Sequence, residues 1–258
     1  MNEDTKRTLK RISLIGIVLL IAAMLISAVE KKRSIKAKEV LINIQLLPDS
    51  TSLIKAEDIL LTIERSFGHR LVGVPLGAIN IERVERVLEA DPFVLTANAY
   101  VDAQQKVHIS LEQRIPILRI IDRNGTSYYL DTYGERMPPS KHFTARVLVA
   151  TGNIPPYDEE YLTKRKHVLK DLYELTKTVL SNEVLQSLCE QIYVDKKREY
   201  VLIPKVGRQK ILLGKYHNIE DKLFRLFTFY NEGIPYTGWN KYSTINLKYK
   251  GQVVCKKR

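Results

Sequence analysis

The chain has only two cysteines in 258 residues, Cys189 and Cys255, too few for a disulfide framework, and neither stands at metal-ligand spacing from a second ligand. They could pair in an oxidising compartment or remain two half-buried thiols. The five histidines, His69, His108, His142, His167 and His217, contain no HExxH pair. A G-x-S-x-G elbow and a phosphate-binding loop are also missing, and Asp122 and Asp131 flank a hairpin as turn formers rather than as an acid–base pair. Together these absences leave no catalytic constellation, metal site or cofactor site to build on. The basic runs Lys196–Arg198 and Lys256–Arg258 lack interleaved aromatics and read as solvated charge rather than as a nucleic-acid site.

What is present first is one long apolar run. Ile12 to Val29 holds no charge, and at about 1.5 Å per residue a helix over it spans about 27 Å, close to the ~30 Å hydrocarbon core of a bilayer. Only Ser13, Gly16 and Ser27 interrupt it, on no single face, which speaks against an amphipathic core helix. A cleaved signal peptide is the closer rival, but the run is long for one and no A-x-A site follows. The expectation is an uncleaved anchor over 12–29, after a polar tail (1–11) and before a charged linker (30–38). Four basic residues precede the span and five follow it, so charge does not orient the chain.

Beyond the linker there is enough chain for one domain or two smaller ones. The net charge of +12 divides into +5 for residues 1 to 40 and +7 for the rest, and the soluble excess reads as spread along the chain, suited to anionic lipid or cell-wall polymers. Val40, Ile42, Ile44 and Leu46 alternate as a half-buried strand. Lys55 to Phe67 reads as a helix stopped by Gly68, and Ile81 to Ala90 as a second helix behind Asn80. Phe93 to Asp102 and Lys106 to Arg114 read as a hairpin.

This β-α-α-β-β order, with Pro92-Phe93-Val94 entering the second strand and Glu112-Gln113-Arg114-Ile115-Pro116 closing the third, resembles a POTRA (polypeptide-transport-associated) domain over residues 39–115. The preceding span and a further domain, residues 116–258, narrow the resemblance to the FtsQ/DivIB family of bacterial division proteins. Asp122 to Pro138 (DRNGTSYYLDTYGERMP) is similar to that family's second-domain opening.

In the second domain, Ile117 to Ile121 and Thr126 to Leu130 read as strands turned by Asn124-Gly125, with Arg146 to Ala150 a further strand. Helices are expected within Glu159 to Leu180 and over Glu183 to Cys189. Strands are expected over Gln191 to Asp195, Tyr200 to Pro204 and Lys210 to Gly214, paired antiparallel. Ile219 to Asn231 reads as a helix stopped by Gly233, its stripe of Leu223, Phe224, Leu226, Phe227 and Tyr230 taken as packing. Thr244 to Tyr249 and Gln252 to Lys256 close the chain as two strands across Lys250-Gly251. The fold class is therefore α+β: one span, a POTRA domain and a mainly antiparallel β domain with packed helices.

Nothing in the sequence covers the last strand, whose unpaired edge is either blunted by Lys256, Lys257 and Arg258 or used for strand addition. The family resemblance implies the second use. It implies a division scaffold in the inner membrane, with its N-terminus in the cytoplasm and its bulk in the periplasm at the septum, which binds FtsB in complex with FtsL and helps to control septal peptidoglycan synthesis. The contact strand implied is Tyr249, Lys250, Gly251, Gln252, Val253, Val254, Cys255 and Lys256, where Lys256 replaces an aromatic residue of well-known members. Two other readings stand beside it. A POTRA-bearing export component predicts a downstream barrel of many alternating strands, and an anchored envelope hydrolase predicts a convergent catalytic cluster.

Overall fold

The structure is a computed structural model that describes residues 15–24, 27 and 34–258. The expected tail, the remaining residues of the expected span and the first four of the linker lie outside the described residues. Residues 15–24 are helical, and their large apolar side chains, from Ile15 to Met24, are all exposed. Among the described residues, no helix is long and apolar enough to cross a membrane. The chain divides into two compact units, Met1–Gln113 and Arg114–Arg258.

In the first unit the elements run β1 (Glu39–Gln45), α1 (Ala56–Phe67), α2 (Ile81–Glu89), β2 (Val94–Val101) and β3 (Lys106–Gln113). The central strand β3 pairs parallel with β1 and antiparallel with β2. Alternation on β3 sends Val107, Ile109 and Leu111 onto the face where Ile59 and Ile63 of α1 and Val84 and Leu88 of α2 bury themselves. Gly68, at φ 76°, ends α1, and the Asn80 side chain caps α2 by accepting from the Arg83 N–H at 2.9 Å. Gln113 is a buried buckle. Its Oε1 accepts from the Leu53 N–H at 2.8 Å while its Nε2 donates to the Gln45 carbonyl at 2.7 Å, tying β3 to both ends of the β1–α1 connection.

The β2 edge of this sheet is closed by side chains. The N–H groups of Ala97 and Ala99 donate to carboxylate oxygens of Glu89 (3.3 Å) and Glu85 (2.7 Å), one turn apart on α2. Two donors that would otherwise offer a ladder to another strand are thereby occupied.

The second unit is a single nine-stranded sheet in the order β12-β11-β10-β9-β8-β7-β4-β5-β6. Its strands are β4 (Pro116–Ile121), β5 (Ser127–Asp131), β6 (Arg136–Met137), β7 (Leu148–Gly152), β8 (Cys189–Val194), β9 (Tyr200–Pro204), β10 (Lys210–Gly214), β11 (Tyr242–Asn246) and β12 (Val254–Lys257). Five of the eight neighbouring pairs are antiparallel; β4–β7, β7–β8 and β10–β11 are parallel. Parallel neighbours need a crossover, supplied between β7 and β8 by α3 (Val168–Leu180) and α4 (Glu183–Leu188), and between β10 and β11 by α5 (Ile219–Thr228) and α6 (Ile234–Thr237). Leu169, Leu172, Leu175 and Val179 of α3 and Leu223 and Leu226 of α5 pack with Leu118, Ile120, Ile192, Leu202, Ile211 and Ile245 of the sheet.

Four hairpin turns share one construction. Asp102, Asp122, Asp131 and Asp195 each accept, through Oδ1, the N–H groups two and four residues ahead, at 2.7–2.9 Å. The residue three ahead, Gln105, Gly125, Gly134 or Arg198, takes a positive φ. Asn124 does not, so Asn124-Gly125 is an aspartate-closed turn rather than the doubly left-handed turn its dipeptide suggests.

Other expectations shift. The helix expected from Glu159 begins at Val168, behind a cap in which the His167 Nδ1 accepts from the Leu169 N–H. The preceding loop is instead held by Tyr161, whose hydroxyl donates to the Gly134 carbonyl at 2.8 Å, and by Lys170, whose Nζ donates to the Leu162 carbonyl at 2.7 Å. The helix from Ile219 does not stop at Gly233. It passes through a π-turn, Phe229–Gly233, into α6 and ends at Gly238 (φ 81°). Phe224, taken as core, is 67% exposed. The strand expected over Arg146 to Ala150 runs from Leu148 to Gly152. Charge is segregated rather than spread: residues 39–113 hold six basic and eleven acidic residues (net −5), and residues 114–258 hold 26 and 15 (net +11).

Two outcomes follow. Replacing both Glu85 and Glu89 with alanine will speed amide exchange at Ala97 and Ala99 at least ten-fold, while the glutamine pair, which still accepts, will not; equal exchange in both would show that the carboxylates do not close the edge. The second concerns His167, whose Nδ1 accepts from the Leu169 N–H at 3.2 Å as the cap of α3. Burial holds its imidazole below the usual histidine range. The unfolded chain then binds the proton more readily, so this contribution is present above the unfolded value of about 6.5 and fades as pH falls through it. Melting temperatures at pH 7.5 and 5.5 will differ less for His167→Asn than for the wild type.

Candidate functional site: the terminal edge strand

β12 lies at one end of the nine-stranded sheet and, among the described residues, pairs with β11 alone, matching Val254 to Asn246, Cys255 to Ile245, Lys256 to Thr244 and Lys257 to Tyr242. A bulge at Ser243 shifts the register, and the Ser243 hydroxyl lies within reach of the Lys256 (3.1 Å) and Lys257 (3.2 Å) carbonyls. The Arg258 N–H donates to the Lys241 carbonyl at 3.2 Å. With the two-residue alternation of a strand, Lys256 and Val254 also turn their backbone groups toward β11, and Cys255 and the N–H of Lys257 turn outward. The side chains divide the other way. Cys255 packs against the core, whereas Val254 is 42% exposed and Lys256 and Lys257 are solvated.

Only three of the eight residues expected on this contact strand, Val254, Cys255 and Lys256, are on it. Tyr249 to Val253 form the connection from β11 instead, with Tyr249, Lys250, Gly251 and Gln252 exposed. Gly251, at φ 66°, turns this loop. Lys257, which sequence reasoning left out, completes the edge.

The residue that holds the connection is Arg225 on α5. Its guanidinium donates to the Tyr249 carbonyl at 3.0 Å, to the Gln252 carbonyl and, at 3.3 Å, to the Leu247 carbonyl, while Asp221 pairs with it one turn back at 2.9 Å. A rigid planar fork with five donors suits three converging carbonyls in a way that a lysine does not. Nothing in the sequence marked it, because its partners are backbone atoms more than twenty residues away. Lys248, next to the loop, pairs with Glu199 of the β8–β9 turn. Lys222, one turn before Arg225, is buried with its Nζ donating to the Lys215 carbonyl at 3.0 Å, and burial holds its ammonium below the usual lysine range.

Aromatic rings brace the start of β11 from below. Phe229 and Tyr230, on the π-turn, approach Tyr242 (5.9 Å between centroids) and Trp239 (5.6 Å), and Gln209 Nε2 donates to the Tyr230 hydroxyl at 2.8 Å. Around the hairpin, Phe224, Tyr236, Trp239 and Tyr249 are exposed. The arrangement offers outward backbone donors and acceptors, a rim of exposed aromatic and basic side chains, and a pinned loop. It brings no nucleophile to a base: burial pushes the Cys189 thiol up to about 12, and it raises that of Cys255 too, so neither is a ready thiolate. Asp122 and Asp131 are occupied by their turns.

Residues 115–256, more than half of the chain, match the protein family described as FtsQ/DivIB, C-terminal related, and residues 35–112 match the POTRA-like domain. No curated protein matches the chain.

Arg225→Met keeps the stem and removes the donors. It will loosen residues 247–253, read as at least a ten-fold rise in amide exchange there, and leave exchange in β4 and β7 unchanged. An unaltered loop would mean that the pairing of β11 with β12 alone fixes it.

Proposed function

The chain belongs to the FtsQ/DivIB family, and from that premise we propose that it is a membrane-anchored scaffold of bacterial cell division that works by binding rather than by turnover. In this reading residues 12–29 cross the inner membrane, the tail 1–11 lies in the cytoplasm, and the two sheets with their helices, residues 39–258, lie outside at the division site. The exposed apolar helix over residues 15–24 supports the anchor, since in water such a surface would have to be covered. The second unit then docks FtsB, in complex with FtsL, by adding a strand to β12, and through that complex acts on septal peptidoglycan synthesis.

The observation that carries this reading is the state of the β12 edge. Among the described residues no strand lies beside the outward backbone groups of Cys255 or the outward N–H of Lys257, at the end of a hairpin that Arg225 and the aromatic brace hold in place. Strand addition takes affinity from such main-chain groups and specificity from neighbouring side chains, here Val254, Tyr249 and Phe224. An export component with a barrel downstream is disfavoured by an open sheet of mixed strands whose two end strands do not meet.

The test is a titration of the full chain in neutral detergent with the purified extracytoplasmic segments of an FtsB–FtsL pair. Lys257→Pro removes one outward N–H and no bond to β11, a position where an edge strand tolerates proline. The variant will fold, by circular dichroism, and bind at least ten-fold more weakly; unchanged affinity would refute docking along this edge, and no binding by the folded wild type would refute the partner.

A further inference from the structure

The three-stranded sheet has a second edge, β1, which is not closed as β2 is. Because the N–H groups of Ala97 and Ala99 turn away from β3, Asn98 and Tyr100 bond to Ser110 and His108, and the alternation along β3 leaves Val107, Ile109 and Leu111 to bond β1. In a parallel pair each of these bonds the two residues that flank its partner. Leu41 and Asn43 therefore face β3, while the backbone groups of Val40, Ile42 and Ile44 face away from it. The α1–α2 loop covers this side only as far as Ala37, which bonds to Gly73 (2.8 Å) and Val74 (2.9 Å). Beyond that point, among the described residues, no strand lies beside the edge.

The usual protections of an edge are missing from β1. Its seven residues pair with β3 without a register shift, and no charge falls between Glu39 and Asp49. The side chains of Val40, Ile42 and Ile44 pack half-buried on the core face. Where β1 begins, Lys38 and Val40 share with Leu60, Leu61 and Val72 a groove of about 560 Å³, and those last three side chains are exposed. Where β1 ends, Leu46 is 56% exposed. One end of the strand is an apolar hollow and the other an apolar knob.

We propose that β1 pairs with β1 of a second copy of this chain, antiparallel about a twofold axis at Ile42, so that the two three-stranded sheets become one. The self-complementary register commits the edge to its own copy. Centred on Ile42, it sets Val40 opposite the second copy's Ile44 and Ile42 opposite its equivalent, so each outward N–H meets an outward carbonyl. It also sets Leu46 of each copy opposite Lys38 of the other, and the two-residue alternation points this leucine to the core face, at the groove. Glu39 falls opposite Gln45 and Leu41 opposite Asn43, so no like charges are opposed along the strands. Of the carboxylates at the groove, Glu39 pairs with Lys106 and Glu64 with Arg70 within one copy, and Glu57 is exposed.

The test is sedimentation equilibrium of the full chain in neutral detergent over a range of concentrations, with amide exchange measured at each. The wild type will form a reversible dimer, and exchange at Val40, Ile42 and Ile44 will slow at least ten-fold from the most dilute sample to the most concentrated, which contact through side chains alone does not produce. Leu46→Glu changes an exposed side chain. It will keep the circular dichroism of the wild type and raise the dimer dissociation constant at least ten-fold, whereas Val206→Glu, on an exposed side chain of the second unit, and Lys257→Pro, at the docking edge, will not. Equal loss in the two glutamate variants would reduce the effect to net charge and overturn the site. A monomer at every concentration overturns the proposal, as does a dimer that Leu46→Glu leaves intact. Assembly beyond the dimer overturns it too, because an isologous edge closes on itself. Protection of the three amides in a monomer, by detergent or by the FtsB–FtsL segments, would give the edge to another occupant and refute the pairing.

Discussion

A sheet that does not close on itself must end in two strands whose outer backbone groups have no ladder, and the properties of this protein follow from how those groups are treated. In water an unpaired N–H is hydrated at little cost. Covered by a partner that offers nothing in return, it costs about 1–3 kcal/mol. The molecule meets this constraint differently at different edges. On β2 of the first unit, Glu85 and Glu89 take up the donors of Ala97 and Ala99. At the β6 end of the second sheet the terminal strand is cut to two residues, Arg136 and Met137. β12 receives neither treatment and carries instead two exposed charges, Lys256 and Lys257.

Leaving an edge open serves binding only if the edge is ordered beforehand, because every residue fixed on association subtracts from affinity. The β11–β12 connection runs for seven residues, Leu247 to Val253, and without support it would be the most mobile part of the site. Arg225 spends its donors on three of that loop's carbonyls, and Asp221 fixes the rotamer of Arg225. The aromatic contacts of the π-turn hold the other end of the same hairpin. An irregular helix here has a geometric reason: the wider turn lets adjacent residues Phe229 and Tyr230 reach Tyr242 and Trp239.

Much of this was legible from residues alone. Alternation along Val107, Ile109 and Leu111, the Asn80 cap and the Gly68 stop placed the first unit's elements nearly where they lie, because each is a local signal. The second unit was harder where the deciding contacts are distant. Leu162 falls in phase with the α3 stripe, yet Tyr161 is drawn out of any helix by the Gly134 carbonyl. Gly233 looks like a stop, but a glycine can continue a helix when its neighbours pack, as Tyr230 and Ile234 do. The last strand, expected over Gln252 to Lys256, runs from Val254 to Lys257. The turn at Lys250-Gly251 was visible, whereas the capture of the whole loop by Arg225 was not.

The segregation of charge shows why two units serve better than one. Alternating blocks of +6, −5 and +11 along residues 1–38, 39–113 and 114–258 give each part of the chain its own electrostatic preference, which a uniformly basic protein could not have. Salt acts on these blocks and on the sheet edge differently: it screens the interactions of solvated charges beyond about 8–10 Å, and leaves main-chain hydrogen bonds nearly untouched. In the proposed docking the two kinds of contact are therefore separable by ionic strength, charge acting on the rate of encounter and backbone hydrogen bonding at the β12 edge on what stays bound.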